Sequence, residues 1–215
     1  MSREAGSTID QDVTPIRHSF FSGLLYPADA EELRSTLLSL LGTSTHKKRV
    51  KTMIIPHGPY ALVGKKMAEI YASIEIPNHV ILLGQNHTER GEKFAIYSKG
   101  AWQTPLGDVK INEELASLLM ENIPFLRHDE LSFFQDPTLE VHLPFLKLLS
   151  PKTQIVPITI LPTSPAERHQ RLNQGLTKTI QQYQEPILII VSANTDPSDL
   201  PCGENLLLQQ IPNSL

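Results

Sequence analysis

Between Val80 and Leu83 the chain reads Val-Ile-Leu-Leu, an apolar run too short for a helix and bounded by Gly84. Such a run predicts a strand buried on both faces, as in a parallel sheet covered by helices on each side. Gln85, Asn86 and His87 follow at once. In an open α/β sheet, ligands bind just outside the carboxyl ends of the strands. A strand ending here therefore delivers His87 to the place where such a fold does chemistry. Met53, Ile54 and Ile55 run in the same way into Pro56 and His57. The two strand-end histidines, on successive β-units, are the first candidate pair.

The rest of the chain alternates between the two periodicities. Ile16 to Pro27 mixes aromatic and small residues and reads as an ordered segment packed onto the domain. Asp29 is the expected N-cap of a helix, with Glu32 in the capping-box position and Gly42 as the stop. Further helices are predicted over Gly64 to Ile74, over Ile111 to Asn122 with Asn112 as cap, and over Ala166 to Gln182. Thr138 to Ser150 is mostly helical in pattern, although Pro144 disturbs its first turns. Strands are predicted over Phe94 to Tyr97, Ile155 to Leu161 and Pro186 to Val191, the last ending in Ser192-Ala193-Asn194. Gly84 is expected to end the strand before it, and Gly100 to Gly107 to form a loop. Strands alternating with helices imply a single α/β domain with a mostly parallel or mixed central sheet and helices on both faces. Residues 1–14 are expected to be a flexible tail, 15–194 the domain, and 195–215 a polar C-terminal tail.

Composition narrows the function classes. The chain has 215 residues, 40% hydrophobic and 20% charged, which fits one globular domain with its own core. A net charge of −4 gives no reason to expect nucleic acid, whose readers usually carry a basic face. No apolar run approaches the length of a membrane span, and the polar start has no signal-peptide core. A single cysteine, Cys202, excludes an intrachain disulfide framework and fits a reducing compartment. A cytoplasmic protein without nucleic-acid or membrane partners is the expectation.

His57 and His87 suit zinc, iron or copper, since imidazole ligates all three. Histidines that merely bond a loop carbonyl would show the same spacing, and no tight two-histidine or two-cysteine motif selects between these readings. Glu140 and His142, in Leu139-Glu140-Val141-His142, form a second constellation, with Asp136 close before it. A carboxylate there orients a histidine or moves a proton; a structural pair is the plainer alternative. Ser192 and Asn194 sit at a strand end, but no Gly-x-Ser-x-Gly surrounds Ser192, so a hydrolase nucleophile is unsupported. Gly84-Gln85-Asn86 is not a dinucleotide fingerprint. Trp102 and Thr104-Pro105-Leu106-Gly107 read equally well as pocket lining or loop packing.

Taken together, Pro56-His57-Gly58-Pro59-Tyr60, Leu83-Gly84-Gln85-Asn86-His87, Trp102-Gln103-Thr104-Pro105-Leu106-Gly107 and Leu139-Glu140-Val141-His142-Leu143-Pro144-Phe145-Leu146 resemble the Memo family. Its bacterial and archaeal members are called AmmeMemoRadiSam system protein B. Gly23-Leu24-Leu25-Tyr26-Pro27 is similar to that family's early Gly-x-Phe-Tyr-Pro. The order and spacing match from about Ile16 to about Asn194. The resemblance implies the fold of class III extradiol dioxygenases, with a metal pocket at strand ends. By carry-over it makes His57 and His87 the metal-binding histidines; Tyr60, Asn86, Asp136, Glu140, His142, Ser192 and Asn194 are the residues expected to line or support the pocket.

This sequence departs from the family pattern where chemistry would be done. Gly58-Pro59 replaces Ala-Gly, and Asp136-Pro137-Thr138 replaces Glu-His-Ser. Ser192-Ala193-Asn194, followed by Thr195-Asp196-Pro197, replaces Ser-Ser-Asp with a nearby histidine. A pocket carboxylate and two histidines are thereby lost. Family members also continue with further helices and strands that carry another potential ligand, and Cys202 lies in no matching motif.

The expected function is a Memo-like protein whose pocket binds iron, copper or zinc through two histidines, with catalysis weak or lost. One rival is a working non-haem iron dioxygenase acting on a small molecule, which needs a third ligand from Glu140, His142 or Asp196. Another is a binding or scaffold module that takes a small molecule or peptide without metal. An uncovered sheet edge would further favour a homo-oligomer or a protein partner.

Overall fold

The structure, a computed structural model, describes residues 14–42 and 47–194. All but the last residue of the expected N-terminal tail, the polar segment 195–215, Asp196 and Cys202 lie outside the described residues.

A short strand, β1 (Ile16–Arg17), opens the chain. Helix α1 (Ala30–Leu41) follows, capped as expected: Asp29 Oδ1 accepts from the Glu31 and Glu32 amides at 3.0 and 2.9 Å. Then come β2 (Thr52–Pro56), α2 (Tyr60–Ala72) and β3 (His79–Gln85). Three short strands, β4 (Phe94–Ile96), β5 (Ala101–Trp102) and β6 (Val109–Lys110), precede α3 (Glu113–Asn122) and β7 (Arg127–His128). Two single 3₁₀ turns, Leu131–Phe133 and Glu140–His142, lead into α4 (Leu143–Leu149). The described chain closes with β8 (Gln154–Ile160), α5 (Ala166–Gln182) and β9 (Ile187–Ala193).

The central sheet has six strands in the order β2-β9-β3-β8-β4-β7. β2, β9, β3 and β8 are mutually parallel, β4 runs antiparallel to β8, and β7 pairs parallel to β4. A second sheet, β1-β5-β6, packs β1 parallel to β5. The expected α/β domain with a mixed sheet and helices on both faces is what the chain forms. Alternation along the buried strands divides the core in two. Val80, Leu82, Leu188 and Ile190 meet α1, α2 and α4, while Ile81, Leu83, Ile189 and Val191 meet α3 and α5. Each wholly buried leucine or isoleucine contributes about 1.5–3 kcal/mol.

Several boundaries differ from expectation, each for a physical reason. α2 starts at Tyr60, not Gly64, with Pro59 as its N-cap (φ −59°, ψ 134°): proline cannot continue a helix backwards, and it has no N–H to leave unpaired there. The Leu25 carbonyl takes the first free amide, that of Tyr60, at 2.8 Å. Gly64 lies inside α2 where a Cβ would stand 3.0 Å from Leu40 Cδ1, so it lets α1 approach closely. Gly84 does not end β3 but lies within it. A Cβ there would sit 2.7 Å from both Thr138 Cγ2 and Leu139 Cδ2, so this glycine admits the segment before Glu140 against the sheet. Ser192 belongs to β9 itself and pairs with Ile55 of β2. β1, β5, β6 and β7, two residues each, were too short to signal in the sequence.

Candidate functional site

The strand order builds the site. β9, the last of the described strands, inserts between β2 and β3 and so places Ser192 between the strand ends that carry His57 and His87. His57 follows β2 directly, and its amide donates to the Ala193 carbonyl at 3.0 Å. His87 stands two residues beyond β3, and its amide donates to Asp136 Oδ2 at 2.9 Å. The two imidazole centroids are 5.4 Å apart, with the rings tilted by 53°. The structure thus brings the candidate pair together beyond the carboxyl ends of β2 and β3, where open α/β sheets form their binding cleft, with His57 half-buried and His87 exposed. Burial, and secondarily the neighbouring His87, lower the His57 pKa to about 4, with Asp136 opposing. His57 is therefore neutral at physiological pH.

Below the pair runs a buried hydrogen-bonded chain. Ser192 Oγ lies 3.1 Å from His57 Nδ1 and 2.8 Å from His142 Nε2, and donates to the Thr138 carbonyl at 2.8 Å. Tyr71 Oη lies 3.1 Å from His142 Nδ1. His142 is wholly buried, and burial, followed by the His57 charge, lowers its pKa to about 3. Desolvation likewise pushes the Tyr71 hydroxyl well above its ordinary value, so it stays a hydrogen-bond donor.

The remaining expected residues support the site rather than face it. Asn86, fully buried, accepts from the Thr88 amide and hydroxyl and donates to the Arg90 carbonyl, fixing the turn that carries His87. Asp136 bridges the amides of His87 and Thr138 through its two oxygens. The Tyr60 hydroxyl donates to the Val141 carbonyl at 2.7 Å, between the rings of Tyr26 and Phe145. Glu140 accepts from Arg17 Nη1, the Phe20 and Phe21 amides and the Tyr26 hydroxyl. Asn194 follows β9 half-buried, and Asp196 lies outside the described residues. Trp102 is a core residue under the Arg17 guanidinium, 4.1 Å from its ring centroid.

The sequence reading missed Arg17, Tyr26, Tyr71 and the Thr138 carbonyl. Tyr71 falls within the helix predicted over Gly64 to Ile74, and a buried tyrosine hydroxyl needs a partner. That was the available signal. Arg17 offered none, because its partner is 123 residues away.

The donor set available to a metal is two imidazoles. No group of three or more His, Cys, Asp or Glu that could hold an ion occurs among the described residues. Glu140 is saturated by four donors, and both nitrogens of His142 are engaged, so in this geometry neither supplies a third ligand. The pair fits a loosely held ion completed by solvent or ligand, not a closed tetrahedral zinc site. A cavity of about 560 Å³ opens at the opposite end of the strands, lined in part by Thr52, His79 and Glu185. It shares no residue with the histidine cleft. His79 there is held by Glu185 and Asn112, at 2.9 and 2.7 Å.

The Memo family profile, described as Memo-like protein, matches residues 17–196. The chain belongs to the Memo-like family. It is 37% identical over 147 residues to a MEMO1 family protein of Aquifex aeolicus, a match covering 67% of this chain and 55% of the relative. A MEMO1 family protein of Sulfurisphaera tokodaii is 35% identical, with 66% of this chain and 51% of the relative covered. One of Pyrococcus furiosus is 31% identical over 188 residues, with 83% and 64% covered. The chain thus spans about half to two thirds of the length of the curated relatives it matches. None of the helices among the described residues is long and apolar enough to cross a membrane.

Proposed function

We propose that this Memo-like protein holds a divalent metal ion loosely in its strand-end cleft through His57 and His87, with little or no turnover. The observation that carries this reading is the pair itself: two imidazoles 5.4 Å apart, neither ring tied by a hydrogen bond on its cleft side to another described residue. His57 is neutral, the protonation state a metal ligand needs. Iron, copper and zinc all accept imidazole. Bound there, such an ion would supply Lewis acidity to a small molecule or peptide group entering the cleft.

The surrounding residues explain why turnover is not part of the proposal. A general acid or base must reach the reacting atom. Glu140 and His142 are the nearby candidates, and both are wholly buried and fully engaged elsewhere. Asp136 spends both oxygens on backbone amides. Among the described residues, Glu140, His142 and Asp136 are thus held in binding and orienting roles rather than left free to move protons.

A zinc titration followed by NMR of the histidine rings tests this. The His57 and His87 signals should respond together and saturate together, while those of His18 and His128 stay in place. Shifts confined to other histidines, with zinc and equally with copper and iron, would overturn the proposal.

A further inference from the structure

Ser192 makes three contacts with one hydroxyl. A hydroxyl has a single proton to donate and two lone pairs with which to accept. The Thr138 carbonyl, 2.8 Å away, can only accept, so it takes the Ser192 proton. The other two contacts must then be donated to Ser192 Oγ, by His142 Nε2–H at 2.8 Å and by His57 Nδ1–H at 3.1 Å. His142, protonated on Nε2, has a bare Nδ1, and that nitrogen faces the Tyr71 hydroxyl, which donates to it at 3.1 Å. The Tyr71 and Ser192 hydroxyls, the facing nitrogens of His142 and His57 and the Thr138 carbonyl are all satisfied in this arrangement, and any other places a lone pair against a lone pair or leaves that carbonyl unpaired. A buried polar group left without its partner costs about 1–3 kcal/mol.

From this we infer that Ser192 is a positioning residue that fixes the tautomer of His57, holding its proton on Nδ1 and leaving Nε2 bare toward the cleft. In a free histidine the proton favours Nε2, the nitrogen that would have to bind. Ser192 reverses that preference from inside the sheet. Its own place is secured by β9, which sits between β2 and β3 and pairs Ser192 with Ile55. Thr138 reaches it because Gly84 lets the Thr138-Leu139 segment lie against β3. The result is a neutral nitrogen donor fixed in direction before any ligand arrives. An outer hydrogen bond of this kind sets the tautomer and ring orientation of a ligating histidine. The consequence for metal affinity rests on the function proposed above; the tautomer rests on the hydrogen-bond geometry alone.

Long-range proton–nitrogen NMR of the metal-free, ¹⁵N-labelled full chain reads the tautomer directly. In the wild type, His57 should show a protonated Nδ1 and an unprotonated Nε2. Ser192→Ala should shift His57 toward the Nε2–H form, and Ser192→Thr, which keeps the hydroxyl, should restore the wild-type pattern. Tyr71→Phe should perturb His142 and leave His57 as it was. Zinc affinity should fall about 10–100-fold in Ser192→Ala. A wild-type His57 with its proton on Nε2 overturns the inference without recourse to any variant, so a misfolded variant does not shelter it. So does a Ser192→Ala protein whose His57 tautomer is unchanged. Should the tautomer behave as stated while wild-type protein takes up none of iron, copper and zinc, Ser192 keeps its positioning role and the metal reading falls.

Discussion

Glu140 Oε2 lies 2.7 Å from Arg17 Nη1, joining residues 123 positions apart with their side chains almost wholly out of solvent. Arg17 also donates to the Phe133 and Asp136 carbonyls, and so ties the opening segment to the loop whose Asp136 carboxylate holds the His87 amide. Breaking a buried pair by removing one partner costs about 3–5 kcal/mol. We expect Glu140→Ala to destabilise the protein by that order in urea denaturation. Replacing both partners, Arg17→Met with Glu140→Leu, should not restore stability, because the Phe20 and Phe21 amides and the Tyr26 hydroxyl would still lack their acceptor. Full recovery in the double variant would show that the ion pair alone matters.

Acid should loosen this fold before its carboxylates are protonated. The His142 and His57 pKa values are depressed to about 3 and about 4 from an ordinary 6.5. Above pH 6.5 both are neutral whether the chain is folded or not, and the stability is fully present. As pH falls below 6.5 the unfolded chain takes up protons that the fold refuses. Stability therefore drops by about 1.4 kcal/mol per pH unit for each histidine until the folded pKa is reached. Urea denaturation between pH 7.5 and 5 should show this decline, and His142→Asn should make it shallower by one histidine's share. An identical slope in that variant would mean His142 is protonated in the fold.

Gly84→Ala tests the close approach at the end of β3. The added methyl meets Thr138 Cγ2, a stiff β-branched and buried neighbour, and Leu139 Cδ2. We expect a loss of about 1–3 kcal/mol. The His142 ring signals should also shift, since Thr138 and His142 share the Ser192 hydroxyl. An unchanged urea midpoint would show that the segment can move away freely.

What could be read from the sequence was what is local. Val80 to Leu83 and Pro186 to Val191 announced buried strands because each carries its own apolar run, and Ala166–Gln182 was bounded correctly by its helical spacing. Asp29 and Asn112 announced their helices as caps. The pairing of His57 with His87 followed from where strands end in such folds. The network beneath them did not, because its contacts span 50 to 135 residues and depend on β9 entering the sheet between β2 and β3. Glu140 and His142 stood out as chemistry-bearing residues. Only the fold shows that one is spent on Arg17 and three further donors, and the other on Tyr71 and Ser192.

The measurement that bears most directly on the two-histidine cleft is equilibrium dialysis of the full chain against iron, copper or zinc, with bound metal read by elemental mass spectrometry. The wild type should take up a single equivalent of at least one of these ions, and the His57→Ala/His87→Ala double variant should lose it while keeping its fold by circular dichroism. Equal uptake by both proteins, or none by either, would contradict the account.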